Sequence, residues 1–164
     1  MSETVTHLPF PVHRIMFVCH GNICRSPMAE MVMADLLRKA NRNDVMTASS
    51  AASTEEIGNG VHYGTCRILK RFGIPMRPHT AIQLTWHDAE KYDLFIGMDE
   101  MNLRNMRRIL GKGVDDRIFN LLDFSDKPRD ISDPWYTGDF ETTYSDILEG
   151  CQALLKVISI QGKA

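Results

Sequence analysis

The run Ile15-Met16-Phe17-Val18-Cys19 leads directly into the loop Cys19-His20-Gly21-Asn22-Ile23-Cys24-Arg25 and then into Ser26-Pro27, and this junction constrains the fold more than any other feature. A short, apolar, partly branched run suits a strand buried on both faces, as in a parallel sheet. Proline is favoured in a first helical turn because its missing N–H costs nothing there, so Ser26-Pro27 opens a helix over 28–40. The order strand, glycine-containing loop, helix gathers backbone N–H groups that lack intrahelical partners, and such groups converge readily on an anion.

The same alternation continues along the chain. Strands are expected at 45–50, 92–98 and 117–122, and helices at 62–72 (closed by Gly73), from Asp99 as cap toward Ile109, and at 140–160. These elements predict an α/β fold: a four-stranded parallel sheet with helices on both faces and a phosphate-binding loop after strand 1, where open α/β sheets place their ligands. Only 125–138 lacks periodicity, and an irregular stretch of that length in a compact domain is often functional. With 164 residues, one domain over 14–164 preceded by an N-terminal extension, 1–13, is expected.

Bulk properties narrow the function. A net charge of -2 and a pI near 6.3 offer no broad attraction to nucleic acid or to an anionic membrane, so an anion must be gripped locally. The longest apolar runs are far too short to cross a bilayer, and no signal-peptide pattern opens the chain, so a soluble, cytoplasmic protein is expected. In a reducing compartment the four cysteines, at 19, 24, 66 and 151, stay free thiols.

Within the loop, Cys19 is placed to be a nucleophile, its thiolate favoured by the converging N–H groups and by Arg25. Arg25 supplies a planar fork of donors that matches two phosphate oxygens. Gly21 is expected to adopt torsions closed to other residues, Asn22 tolerates a left-handed conformation, and both curl the loop. Ser26 can donate a hydrogen bond to the cysteine sulfur. Expelling an alkoxide or phenoxide also needs a proton donor on a neighbouring loop. Asp133, in Ser132-Asp133-Pro134-Trp135-Tyr136, has a stiffening proline and two aromatics able to line a flat substrate, although Asp123, Asp126, Asp130 and Asp139 lie close in sequence.

Val18-Cys19-His20-Gly21-Asn22-Ile23-Cys24-Arg25-Ser26-Pro27-Met28-Ala29-Glu30 resembles the signature of the low-molecular-weight protein tyrosine phosphatases. The resemblance extends through Gly73-Ile74-Pro75-Met76, Met98-Asp99-Glu100-Met101-Asn102-Leu103 and Asp133-Pro134-Trp135-Tyr136. It implies a two-step reaction without metal or other cofactor. Cys19 would be the nucleophile, Arg25 the phosphate clamp and Asp133 the general acid and base. Phosphate would lie on the loop from His20 to Arg25, with tyrosine-phosphorylated proteins or peptides as partners and phosphate-like oxyanions as ligands. Asn22 matches a residue held in a strained turn by a network that Ser50, His79 and Asp99 complete, alongside Ser26. Cys24 matches a position able to form a reversible disulfide with the nucleophile, and otherwise packs. Trp135 and Tyr136 match the pocket wall.

Two departures concern the rim. His20 replaces a commonly apolar residue and either faces solvent or adds positive charge beside the phosphate, and Glu55 lies in a segment, 53–56, without the aromatic that some members carry. The neighbouring reading, arsenate reductase on the same fold, requires a close cysteine pair near residues 80 to 95 that this chain lacks. Phosphoarginine is an alternative substrate. A metal site at Cys19, His20 and Cys24 lacks a fourth ligand at suitable spacing.

Overall fold

The computed structural model describes residues 3–162. Its centre is a four-stranded parallel sheet in the order β2-β1-β3-β4, formed by β1 (Arg14–Cys19), β2 (Met46–Ala51), β3 (Leu94–Gly97) and β4 (Ile118–Asn120). The helices are α1 (Arg25–Lys39), α2 (Tyr63–Arg71), α3 (Glu100–Leu110), the single turn α4 (Pro134–Thr137) and α5 (Phe140–Gln161). The expected α/β architecture is the observed one.

Alternation along β1 explains why its apolar run is continuous. Ile15, Phe17 and Cys19 join the core beneath α1 and α5, whereas Met16 and Val18 join a second core that includes Leu103 and Met106 of α3. Both faces are covered, so both sets of alternate residues are apolar. The strand order also fixes where a ligand belongs. From β1 the chain passes to β2 on one side and later to β3 on the other, and the crevice at such a reversal lies beyond the carboxyl ends of the strands. Cys19 ends β1, and Asp99 follows β3, so both look into that crevice.

Several boundaries differ from expectation. The strand expected at 117–122 is only Ile118–Asn120, because Asn120 and Asp123 form a reciprocal capping pair that turns Leu121–Phe124 into a 3-10 helix. The same device at Thr85 and Asp88 starts a 3-10 turn over Trp86–Glu90. The described residues ahead of β1 pack on the rest of the fold. Leu8 and Val12 are buried in the main core, and the Gln161 side chain bonds the Phe10 carbonyl at 2.7 Å and the Val12 N–H at 3.1 Å. No described helix is long and apolar enough to cross a membrane.

Candidate active site

The loop between β1 and α1 is held from outside by its carbonyls. The Cys19 carbonyl accepts from Ala52 N, and that of His20 from both Ser53 N and Ser53 Oγ. The Asn22 carbonyl accepts from His79 Nε2 at 2.7 Å, Ile23 from His62 N at 2.8 Å, and Cys24 from Thr65 Oγ1 at 3.1 Å. In a trans peptide the N–H of the next residue points opposite to the carbonyl. Five outward carbonyls therefore turn the N–H groups of His20, Gly21, Ile23, Cys24 and Arg25 inward. Helix α1 then starts at Arg25 with no side-chain cap and no acidic residue in its first turn, which leaves its positive end available to an anion.

Asn22 makes the turn possible at φ 61°, in the left-handed region that few side chains tolerate. Gly21, in contrast to expectation, does not take a left-handed φ; its lack of a side chain matters because a Cβ there would lie 3.0 Å from Glu56 Cγ. The Asn22 amide is fixed at both ends: Oδ1 accepts from Ile82 N at 3.2 Å, and Nδ2 donates to Ser26 Oγ at 2.8 Å and to Ser49 Oγ at 2.9 Å. Ser49, not Ser50, is therefore the serine of this network. Successive side chains on β2 point to opposite faces, and Ser50 points to the other one, where its hydroxyl meets Met16 Sδ at 3.2 Å. Ser26 Oγ lies 3.1 Å from Cys19 Sγ and its N–H 3.4 Å from the same atom.

Arg25 is almost fully buried. Its Nη1 donates to Asp99 Oδ2 at 2.6 Å and to the Ile131 carbonyl at 2.9 Å, and Nη2 faces Asp133 Oδ2 at 3.4 Å. Burial works against its charge, but Cys19, Asp99 and Asp133 outweigh that and hold the guanidinium above its ordinary value. Nε is buried without a protein partner, a donor suited to a phosphate oxygen. Asp99 serves twice, since Oδ1 caps α3 by accepting from Asn102 N at 2.9 Å.

Asp133 caps α4 in the same manner, Oδ1 accepting from Trp135 N at 3.0 Å, which leaves Oδ2 toward Arg25. Of the five aspartates near this stretch it alone lines the pocket. Asp123 and Asp139 cap helical turns at Asn120 and Thr142, and Asp130 faces the Asn120 amide. The floor of the pocket holds Cys19, Cys24 and Arg25, and its rim holds His20, Glu55, Asp133, Trp135 and Tyr136, together with Glu56, which sequence reasoning missed. His20 turns to the rim, its Nε2 3.0 Å from Glu55 Oε2. Trp135 packs edge-on against His62, which stacks on Phe140 at 5.0 Å.

Cys24 differs from Cys19 in environment. Burial, then the proximity of Cys19, Asp133 and Glu56, with Arg25 in opposition, push its thiol up to about 12, so it stays protonated near neutrality. Cys66 and Cys151 do not line the pocket. Among the described residues no group of three or more His, Cys, Asp and Glu side chains is placed to hold a metal ion.

An inward-facing N–H cradle with a cysteine at its base, a buried arginine and a facing carboxylate defines a site for oxyanion chemistry at sulfur. Comparison with known proteins specifies it. The model of the low molecular weight phosphotyrosine protein phosphatase family matches residues 14–164. The low molecular weight protein-tyrosine-phosphatase YfkJ of Bacillus subtilis is 40% identical over 147 residues, covering 88% of this chain and 94% of YfkJ. PtpA of Staphylococcus aureus, described likewise, is 34% identical over 145 residues, covering 88% of this chain and 92% of its own. The crystal structure of YfkJ superposes with a TM-score of 0.87 at 37% identity, over 94% of this chain and 99% of that one. The chain belongs to the low-molecular-weight protein tyrosine phosphatase family and is a phosphoric monoester hydrolase.

Proposed function

We propose that the chain hydrolyses phosphotyrosine in proteins or peptides through a cysteinyl-phosphate intermediate. Cys19 Sγ attacks phosphorus while the ester P–O bond breaks, and Asp133 gives its proton to the departing phenolic oxygen. Water then attacks the phosphocysteine and passes a proton to Asp133 as the P–S bond breaks, releasing inorganic phosphate. Arg25 and the inward N–H groups carry the charge on the equatorial oxygens in both steps, and Ser26 donates to sulfur as it leaves. The observation that carries this reading is the set of five outward carbonyls, which makes an anion cradle directly over Cys19.

Trp135 and Tyr136 flank the aryl ring, and Glu55 with His20 forms the outer rim; Cys24 supplies a thiol that forms a reversible disulfide with Cys19 under oxidation. The enzyme works on phosphoproteins in the cytoplasm, without nucleic acid or membrane as partner, through a single domain over 14–164 preceded by an N-terminal extension, 1–13.

Turnover of phosphotyrosine, phosphoserine and phosphoarginine peptides, run beside arsenate with a thiol reductant, tests the reading. Metal-independent hydrolysis of phosphotyrosine is expected to dominate, with Cys19→Ser inactive but still binding phosphate. Faster phosphoarginine hydrolysis or arsenate reduction would assign the site elsewhere, and an active Cys19→Ser would remove the intermediate.

A further inference from the structure

The hydrogen bonds that end at the nucleophile begin at a surface arginine. Arg77 Nη1 lies 3.0 Å from Glu30 Oε2, Ser49 Oγ lies 2.6 Å from Glu30 Oε1, and Asn22 Nδ2 links Ser49 to Ser26, which reaches Cys19 Sγ. Every link has a direction set by chemistry. The Asn22 amide cannot be reversed, because its oxygen accepts from Ile82 N. Both Nδ2 hydrogens are consequently spent, one on each serine oxygen. Ser26, accepting from Asn22, has its single hydrogen left for sulfur. Ser49, accepting on the other side, has its hydrogen left for a carboxylate, which when ionised only accepts and cannot donate.

We propose that Glu30 and Arg77 are positioning residues that set this direction, and so keep the Ser26 hydroxyl aimed at the sulfur during breakdown of the phosphoenzyme. Glu30 has only 12% of its side chain exposed, and Arg77 is its cationic partner. Arg77 is itself held by the Thr47 carbonyl at 3.1 Å and Oγ1 at 3.0 Å. The same short strap carries His79 and Ile82 to Asn22, so residues 77–82 grip the network at both ends. If Glu30 presented a donor instead, Ser49 would turn its hydrogen toward the Asn22 amide. Two donors would then face each other, and the amide would lose its hold on Ser26.

The inference rests on the phosphatase reading, and its experiment keeps the two apart. In Glu30→Gln, Arg77 takes the amide oxygen, which turns the NH2 group toward Ser49. This variant should lower kcat on an aryl phosphate about three- to thirtyfold, with a larger pre-steady-state burst of aryl alcohol as the second step becomes limiting. Arg77→Met should act in the same sense but less, and Arg77→Lys should restore most of the loss. The inhibition constant of inorganic phosphate should stay within about twofold, since the cradle itself is untouched. The Asn22 side-chain amide resonances should move in Glu30→Gln and Arg77→Met whether or not the protein turns over substrate. Should Glu30→Gln fail to fold, Arg77→Met, at a half-exposed position, carries the test. Unchanged kcat and unmoved Asn22 resonances would overturn the inference, as would parallel losses of kcat and phosphate binding. A wild-type enzyme inactive on aryl phosphates would instead defeat the phosphatase reading, leaving the resonances to judge the network.

Discussion

Asn in place of Asp99 separates two roles that one carboxylate fills. The asparagine oxygen can still cap α3 by accepting from Asn102 N, so the cap itself is retained. Its NH2 group then faces Arg25 Nη1, a donor against a donor at a site where the aspartate makes a 2.6 Å ion pair. Removing one member of a fully buried pair costs about 3–5 kcal/mol, and one hydrogen bond to a charged group nets about 1.5–3. Asp99 is 23% exposed, and Arg25 keeps the Ile131 carbonyl and Asp133. The lower range applies, so Asp99→Asn should cost about 2 kcal/mol of unfolding free energy, and Asp99→Ala about 1 kcal/mol more for the lost cap. If the clamp is misaimed by the same amount in the transition state, kcat/KM falls about thirtyfold. Saturating phosphate offers Arg25 a replacement anion, so it should shrink the stability deficit while the kinetic deficit remains. Urea unfolding with and without phosphate, beside steady-state kinetics on an aryl phosphate, measures both. An Asp99→Asn protein within about 0.5 kcal/mol of wild type and with unchanged kcat/KM would refute the reasoning.

Asp133→Ala should slow aryl phosphate hydrolysis about 10²- to 10⁴-fold and steepen its dependence on leaving-group pKa; an unchanged slope would move the acid to another residue. Gly21→Ala sets its new methyl against the flexible Glu56 side chain, so rim geometry and KM should change while kcat is largely kept, and a collapse of kcat would show that the loop itself had shifted. Burial raises both Cys24, from 9.0 to about 12, and Cys151, so the folded protein holds these protons more tightly than the unfolded chain. Their contribution is complete below pH 9.0 and declines as pH rises toward about 12. Thermal unfolding from pH 8 to 11 should therefore show a falling Tm, less steep in Cys151→Ala, and equal slopes would reject this source.

The sequence carried the strand–loop–helix junction because its signals are local: an apolar run, a proline in a first turn and an arginine six residues after a cysteine. The same holds for Asp133, whose proline and aromatics mark its turn. The network behind the loop was less legible. Ser49 and Ser50 are adjacent and chemically identical, and only the register of β2 against β1 decides which faces Asn22. Glu30 and Arg77 lie 47 positions apart, and nothing in local spacing joins them. The inward turn of 3-10 helix after β4 depends on Asn120 and Asp123 capping one another, a pattern that competes with the strand signal of the same residues. Gly21 shows a further limit, since the sequence marks a position intolerant of a side chain without saying whether torsion or a neighbour is responsible.

The left-handed turn at Asn22 also has a consequence in time. Besides Ser26, four residues on, the groups that secure it sit 27, 57 and 60 residues away along the chain, at Ser49, His79 and Ile82. Strand β1 and helix α1 are neighbours in sequence and can meet early, but the loop between them gains its restraints only after those distant segments dock, when the entropy of closing the intervening loops has been overcome. A refolding chain should accordingly regain its helical signal before its activity. Catalytic competence is a late arrival, set by the last segment to reach the loop rather than by the loop's own residues.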